Sequence, residues 1–186
     1  MKKIDFVLIG VIAGLTAVLD YVGVVGLPVG VFSMSALYIG GAFYTVFALW
    51  FKREAYIGMY LGLLLGAVIS GTFTVYAFLL AWGNVIGVAV VSLGFSYIKG
   101  INYRLTKYYD YIAFVVLVFL GQIVSSNYTI RGLNLFGLIP DSAMNASIYS
   151  WIIGGMIVNI VIAIPLLKML TPIVEKKIMI KNENRV

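Results

Sequence analysis

From Ile4 to Gly30 the chain reads Ile-Asp-Phe-Val-Leu-Ile-Gly-Val-Ile-Ala-Gly-Leu-Thr-Ala-Val-Leu-Asp-Tyr-Val-Gly-Val-Val-Gly-Leu-Pro-Val-Gly. Lys2 and Lys3 precede it, and Phe6 to Leu19 is unbroken by charge. Small residues recur at helical spacing in two rows, Gly10 with Gly14 and Ala13 with Ala17. Such rows let two helix backbones approach closely where lipid is the solvent. The stretch therefore predicts a first transmembrane helix with a smooth face. The helix is expected to end at Asp20, and Gly23-Val-Val-Gly-Leu-Pro-Val-Gly30 to form a flexible lip beyond it. A cleavable signal peptide is not expected, since more apolar runs follow and Asp20-Tyr21-Val22 offers no small-x-small cleavage site.

The rest of the chain extends this reading. Of 186 residues 62% are hydrophobic and 11% charged, and the mean hydropathy is +1.06. A soluble domain of this length needs a far more polar surface. Six apolar runs are long enough to cross about 30 Å of hydrocarbon at roughly 1.5 Å per residue, at about 4–22, 34–51, 55–71, 74–98, 110–130 and 148–170. They are continuous rather than alternating, which excludes a transmembrane β-barrel. No linker divides the chain. The expected fold is all-α, one polytopic membrane domain built as a six-helix bundle.

Orientation follows from the basic residues. Lys2, Lys3, Lys52, Arg53, Lys99, Arg104, Lys107, Lys168, Lys176, Lys177, Lys181 and Arg185 would share one side, leaving only Arg131 on the other. By the positive-inside rule both termini are expected in the cytoplasm of a cell-membrane protein. This distribution also accounts for the formal net charge of +6 without nucleic acid. The outer side would hold the loop at 20–33, a tight turn near Ser70-Gly-Thr-Phe-Thr74, and an apolar, turn-rich segment from Arg131 to Ser147 that folds back onto the bundle. Gly58, Gly62, Gly66 and Ser70 stand at successive i+4 positions on the third helix and predict close packing inside the bundle.

The absences restrict the chemistry. With no cysteine and no histidine, thiol catalysis, disulfides and the commonest metal ligands are gone. No charge stands in the middle of a span, as proton pumps and intramembrane hydrolases require. No phosphate-binding loop or Ser–His pair occurs. An enzyme, a bound metal and a cofactor are not expected.

Uncharged polar residues fill the outer halves of the last three spans. Asn84, Gln122 and Asn159 each lie about 8–11 residues from the outer end, roughly 12–16 Å deep. Trp82, Ser126, Asn127, Tyr149 and Trp151 lie nearer the mouth, and Asp20 and Arg131 are the loop charges able to reach it, apart from Asp141. Amides in spans often only bond neighbouring helices, and Trp and Tyr are ordinary interfacial anchors. Clustered on one side and in one half of the chain, the set predicts an outward-open cavity, aromatic at its entrance and amide-lined at its floor.

At these residues the chain resembles the substrate-binding S components of energy-coupling-factor (ECF) vitamin transporters. Ala13-Gly-Leu-Thr-Ala17 is similar to the alanine pattern of their first helix. Leu37-Tyr-Ile-Gly-Gly-Ala-Phe-Tyr and the run Gly58 to Gly71 are similar to their second and third spans. Ala81-Trp-Gly-Asn-Val-Ile-Gly87 and the run Gly155 to Leu167 resemble their fourth and sixth. The resemblance implies a prokaryotic protein that captures a small organic solute, a vitamin or related heterocycle, with helices four to six and the first external loop. It implies that Ala13 and Ala17 meet a transmembrane coupling subunit driven by ATP-binding subunits. The N-terminal histidine of cobalt and nickel carriers is missing, which leaves an organic solute. With no buried acid expected, a neutral or weakly anionic heterocycle is favoured, stacked by Trp82, Trp151 or Tyr149 and selected by Asn84, Asn127 and Asn159. Two other readings stay open, a non-transporting membrane scaffold of similar fold and a stand-alone small-solute facilitator.

Overall fold

The computed structural model describes residues 5–26 and 38–183. Residues 1–4, 27–37 and 184–186, with Lys2, Lys3, Arg185, most of the expected lip and the start of the expected second span, lie outside the described residues. All regular structure among the described residues is helical: α1 (Phe6–Gly26), α2 (Gly40–Phe51), α3 (Arg53–Ile69), α4 (Val75–Tyr97), α5 (Tyr108–Leu135), α6 (Asp141–Val158), a π-helical turn (Asn159–Ala163) and α7 (Ile164–Glu183). Four stretches are long and apolar enough to cross a membrane: Phe6–Gly23, Val75–Tyr97, Tyr108–Leu135 and Asp141–Lys177.

α1 does not stop at Asp20 as expected but continues through Gly23-Val24-Val25 to Gly26. The glycine at 23 serves close approach here instead of a turn. A Cβ on Gly23 would stand 2.7 Å from the ring of Tyr38, so only a glycine lets that ring lie on the helix.

α1 and α3 run parallel along a seam of small residues. A Cβ on Gly58 would stand 2.8 Å from Ile12 Cβ, one on Gly62 2.5 Å from the Ala13 carbonyl oxygen, and one on Gly66 2.8 Å from Asp20 Cβ. The expected glycine row of the third helix is thus an internal contact, and the row facing it on α1 is Ile12, Thr16 and Asp20, with the carbonyl of Ala13. Ala13 and Ala17 are both buried within the bundle, at 6% and 4% exposure. The smooth face left open on α1 is the other row, since a Cβ on Gly10 or Gly14 meets nothing within 4 Å.

α2 is the shortest helix and the most enclosed. Twelve residues cover only about 18 Å, and eight of the twelve are buried: Gly40, Ala42, Tyr44, Thr45, Val46, Phe47, Ala48 and Leu49. One face of α2 (Ala42, Val46, Leu49) packs with Val91, Phe114, Val118 and Leu167, and the other (Tyr44, Phe47, Ala48) with Ile12, Met59, Leu63 and Val85. This apolar helix is enclosed on both faces by its neighbours and forms a hub of the bundle; residues 34–37 of the span expected over 34–51 lie outside the described residues. Lys52 alone, at φ +47°, joins α2 to α3.

Two helix ends are closed by paired 6→1 and 5→2 hydrogen bonds around a left-handed glycine. After α3, Thr72 N donates to Ala67 O and Gly71 N to Val68 O, with Gly71 at φ +70°. After α5, Leu138 N donates to Leu133 O and Gly137 N to Asn134 O, with Gly137 at φ +72°. This second cap corrects the expected Arg131–Ser147 segment: α5 continues to Leu135 and α6 begins at Asp141, so the connection is five residues. Asn134 fixes it by donating to Ile139 O and Asp141 Oδ1, both at 2.8 Å.

α4 and α5 are antiparallel and nearly touch. A Cβ on Gly121 would stand 2.5 Å from the Gly87 carbonyl oxygen, and one on Gly87 2.8 Å from Ser125 Cβ. From Asp141 the chain then runs as one rod through α6, the π turn and α7. The wide turn sits just before Pro165. Proline has no N–H for the residue four back and its ring crowds that carbonyl. Here Ile164 N donates to Asn159 O, the five-residue spacing of a π turn, and the rod passes the proline without breaking.

Candidate functional site

Three asparagines, Asn84 on α4, Asn127 on α5 and Asn159 at the π turn, are held by their own backbones. Asn84 Nδ2 donates to Leu80 O at 3.0 Å, Asn127 Nδ2 to Ile123 O at 2.9 Å, and Asn159 Nδ2 to Gly155 O at 2.8 Å. Each bond reaches one turn back, a local satisfaction available to any helical amide. Ser126 does the same through Oγ to Ile123 O at 3.1 Å. The carbonyl ends differ. Asn127 Oδ1 accepts from Arg131 Nε at 3.0 Å. Asn159 is fully buried, and its Oδ1 has no hydrogen-bond partner.

Asn159 stands at the middle of the Asp141–Lys177 rod, where the π turn begins. The Gln122 amide of α5 lies against Gly155, the residue whose carbonyl takes the Asn159 donor; a Cβ on Gly155 would meet Gln122 Nε2 at 2.8 Å. Gln122 of α5 thus packs on Gly155 of α6, one turn before Asn159, and the buried Ser126 lies one turn along α5 from Gln122. A buried amide oxygen without a donor is costly, about 1–3 kcal/mol, and π turns in α-helices frequently mark functional sites.

The other expected site residues stand apart from this contact. Trp82 is 48% exposed and leans on Tyr60 of α3, ring centroids 5.0 Å apart. Tyr149 is 65% exposed. Trp151 packs into a small cluster with Ile130, Leu133, Ile139 and Ile148. Arg131 is exposed and bonded only to Asn127 among the contacts described.

Asp20 is not a solvated loop charge. It sits within α1, half-buried, with its carboxylate against Gly66 of α3. Tyr38 Oη donates to Asp20 Oδ1, Tyr38 and Tyr44 share a hydrogen bond of 2.6 Å, and Tyr44 Oη donates to Thr16 O at 3.5 Å. The two rings meet edge-on, centroids 5.7 Å apart. Tyr38 and Tyr44 were not expected in a site. The available signal was the spacing of Thr16 and Asp20, one turn apart on an apolar helix, together with two tyrosines at the start of the next apolar run.

A second set of polar contacts closes the opposite end. Tyr103 Oη donates to Glu175 Oε1 at 2.7 Å, Arg104 pairs with the same carboxylate, and Trp50 Nε1 donates to Thr171 Oγ1 at 2.9 Å. Burial, with the hydrogen bond and charge of Glu175, pushes the Tyr103 phenol up to about 12. Asp110, fully buried, accepts from the backbone N–H groups of Asn102, Thr106 and Lys107, each at 2.9 Å. These contacts tie the 98–107 connection to α5 and α7. Among the described residues no three His, Cys, Asp or Glu side chains gather to hold a metal ion. Comparison with protein-family models, curated proteins and solved structures finds no match.

Proposed function

We propose that this chain is a six-span membrane protein with both termini in the cytoplasm, which captures a small organic solute from the outer side as the substrate-binding subunit of an ATP-driven importer. The coupling and ATP-binding subunits would be separate chains, because this sequence has no phosphate-binding loop. The observation that carries the solute reading is Asn159 Oδ1, fully buried and unpaired at a π turn, one turn from the Gly155 on which Gln122 packs. An acceptor placed there calls for a donor, and a ligand N–H or O–H meets that need. Asn159 thereby takes the central role, with Gln122 on the facing helix one turn away, against Gly155.

A second reading has its own support. Asn84, Asn127 and Asn159 each bond back to their own helix, as in a membrane scaffold that binds no solute. Mass spectrometry of small molecules released from the purified protein separates the two. A stoichiometric compound whose retention is lost in Asn159→Leu supports solute capture. Repeatedly empty preparations, or retention unchanged in Asn159→Leu, refute it.

A further inference from the structure

The outward face of α7 is apolar up to one lysine. Pro165, Met169, Pro172 and Ile173 recur at helical spacing and are exposed, and Lys168, also exposed, stands at the edge of this stripe. Its ammonium lies over the Tyr111 ring of α5, 5.5 Å from the centroid. Tyr111 packs in turn on the core cluster that holds Phe114 and Leu167, so the ring is a fixed platform whose face attracts the cation. Beyond Tyr111, α5 also shows apolar side chains outward, Ile112 and Val116. The cation thus sits where two apolar surfaces meet.

Its depth follows from the contacts of α7. Trp50, in the last turn of α2, donates to Thr171, and Tyr103 and Arg104 hold Glu175 one turn further on. These contacts belong to the end of the bundle that carries Lys52, Lys99 and Lys107. Lys168 stands three residues inside Thr171, about 4.5 Å along the axis. From there a lysine stem lies along apolar surface while its ammonium reaches the polar boundary of a bilayer. The acids of this end are engaged elsewhere. Glu175 pairs with Arg104, and Asp110 accepts three backbone N–H groups. Among the described residues Lys168 makes no ion pair.

We propose that Lys168 and Tyr111 form a headgroup site for one anionic phospholipid. The lipid phosphate meets the ammonium held over the ring, and the acyl chains lie along Met169 of α7 and Ile112 and Val116 of α5. The uncompensated charge calls for an anion. The apolar surface beside it calls for a hydrocarbon chain joined to that anion, which is what separates a lipid from free phosphate. The site does not depend on solute capture.

The test is mass spectrometry of the lipids that stay with the protein after purification from nanodiscs made of equal parts phosphatidylglycerol and phosphatidylcholine. Wild type is expected to keep phosphatidylglycerol in preference. Lys168→Gln should lower that preference about fivefold, the worth of one basic group near an anionic leaflet. Lys168→Leu, which continues the apolar stripe, serves with the same expected loss if the glutamine variant does not fold. Lys99→Gln removes the same charge from another exposed lysine of this end and should leave the preference unchanged. Equal retention of both lipids by wild type would overturn the proposal, and so would equal losses in the Lys168 and Lys99 variants, which mean diffuse attraction. Thermal unfolding in detergent separates the two sources of phosphate. Added phosphatidylglycerol should raise the midpoint of wild type and glycerol phosphate should not; an equal rise with glycerol phosphate would overturn the lipid assignment.

Discussion

The same substitution, glycine to alanine, should have opposite effects on two helices of this protein. At Gly62 of α3 the new Cβ would stand 2.5 Å from the Ala13 carbonyl oxygen and from Thr16 Cβ. Backbone cannot swing aside as a flexible side chain does, so α1 and α3 must part by about 1 Å to restore ordinary contact at roughly 3.5–4.0 Å. That movement loosens the seam from Gly58 to Gly66, where Ile12, Ala13, Thr16 and Ala17 are buried. Overpacking of this kind costs about 1–3 kcal/mol. At Gly14 of α1 the new Cβ meets nothing within 4 Å, and the change brings only the helix-propensity gain of about 1 kcal/mol. That gain applies at both sites and cancels in the comparison, so Gly62→Ala should be less stable than Gly14→Ala by about 1–3 kcal/mol. Chemical or thermal unfolding of the purified variants in one detergent, followed by circular dichroism, measures the difference. Equal stability of the two variants would refute the parallel α1–α3 seam. The comparison also bears on the proposed contact with a coupling subunit. Leucine at Ala13 or Ala17 would disturb the fold itself, whereas Gly10→Leu and Gly14→Leu load only the open row and test a partner there by uptake assay.

Three further outcomes are expected. Pro165→Ala removes the reason for the wide turn, so the rod should keep its helicity by circular dichroism; under the proposed solute capture, retention measured by mass spectrometry falls together with that of Asn159→Leu. Asp110→Ala takes the acceptor from three backbone N–H groups, each bond to a charged group being worth about 1.5–3 kcal/mol before relaxation; hydrogen exchange should accelerate at Asn102, Thr106 and Lys107 while the Gly62 region stays protected. Tyr103, whose phenol is pushed up to about 12, contributes stability that is complete below about pH 10, where an unfolded tyrosine titrates, and is lost as the pH rises towards 12. The thermal midpoint of wild type should therefore fall towards that of Tyr103→Phe between pH 10 and 12, and parallel curves would exclude the buried hydrogen bond to Glu175.

Composition and periodicity alone determined that this is a helical chain with stretches able to cross a membrane, because lipid sets both the length of a crossing helix and the polarity of its surface. They also placed the glycine row of α3 inside the bundle, since only small residues permit backbone contact. Where each helix ends was not legible from turn-forming residues. Gly23 accommodates the ring of Tyr38 within a continuing helix, whereas Gly137, equally isolated in sequence, turns the chain at positive φ; the difference lies in what faces each glycine. For the same reason the sequence presented two small rows on α1 as equivalent, and only packing buried Ala13 and Ala17 and left Gly10 and Gly14 open. α2 was legible as an apolar run, but that its neighbours enclose it on both faces was decided by packing. Asn159, Gln122 and Asp20 were visible as residue types. Which of them lacks a partner depends on helices brought together from distant parts of the chain, and no one-dimensional pattern carries that information.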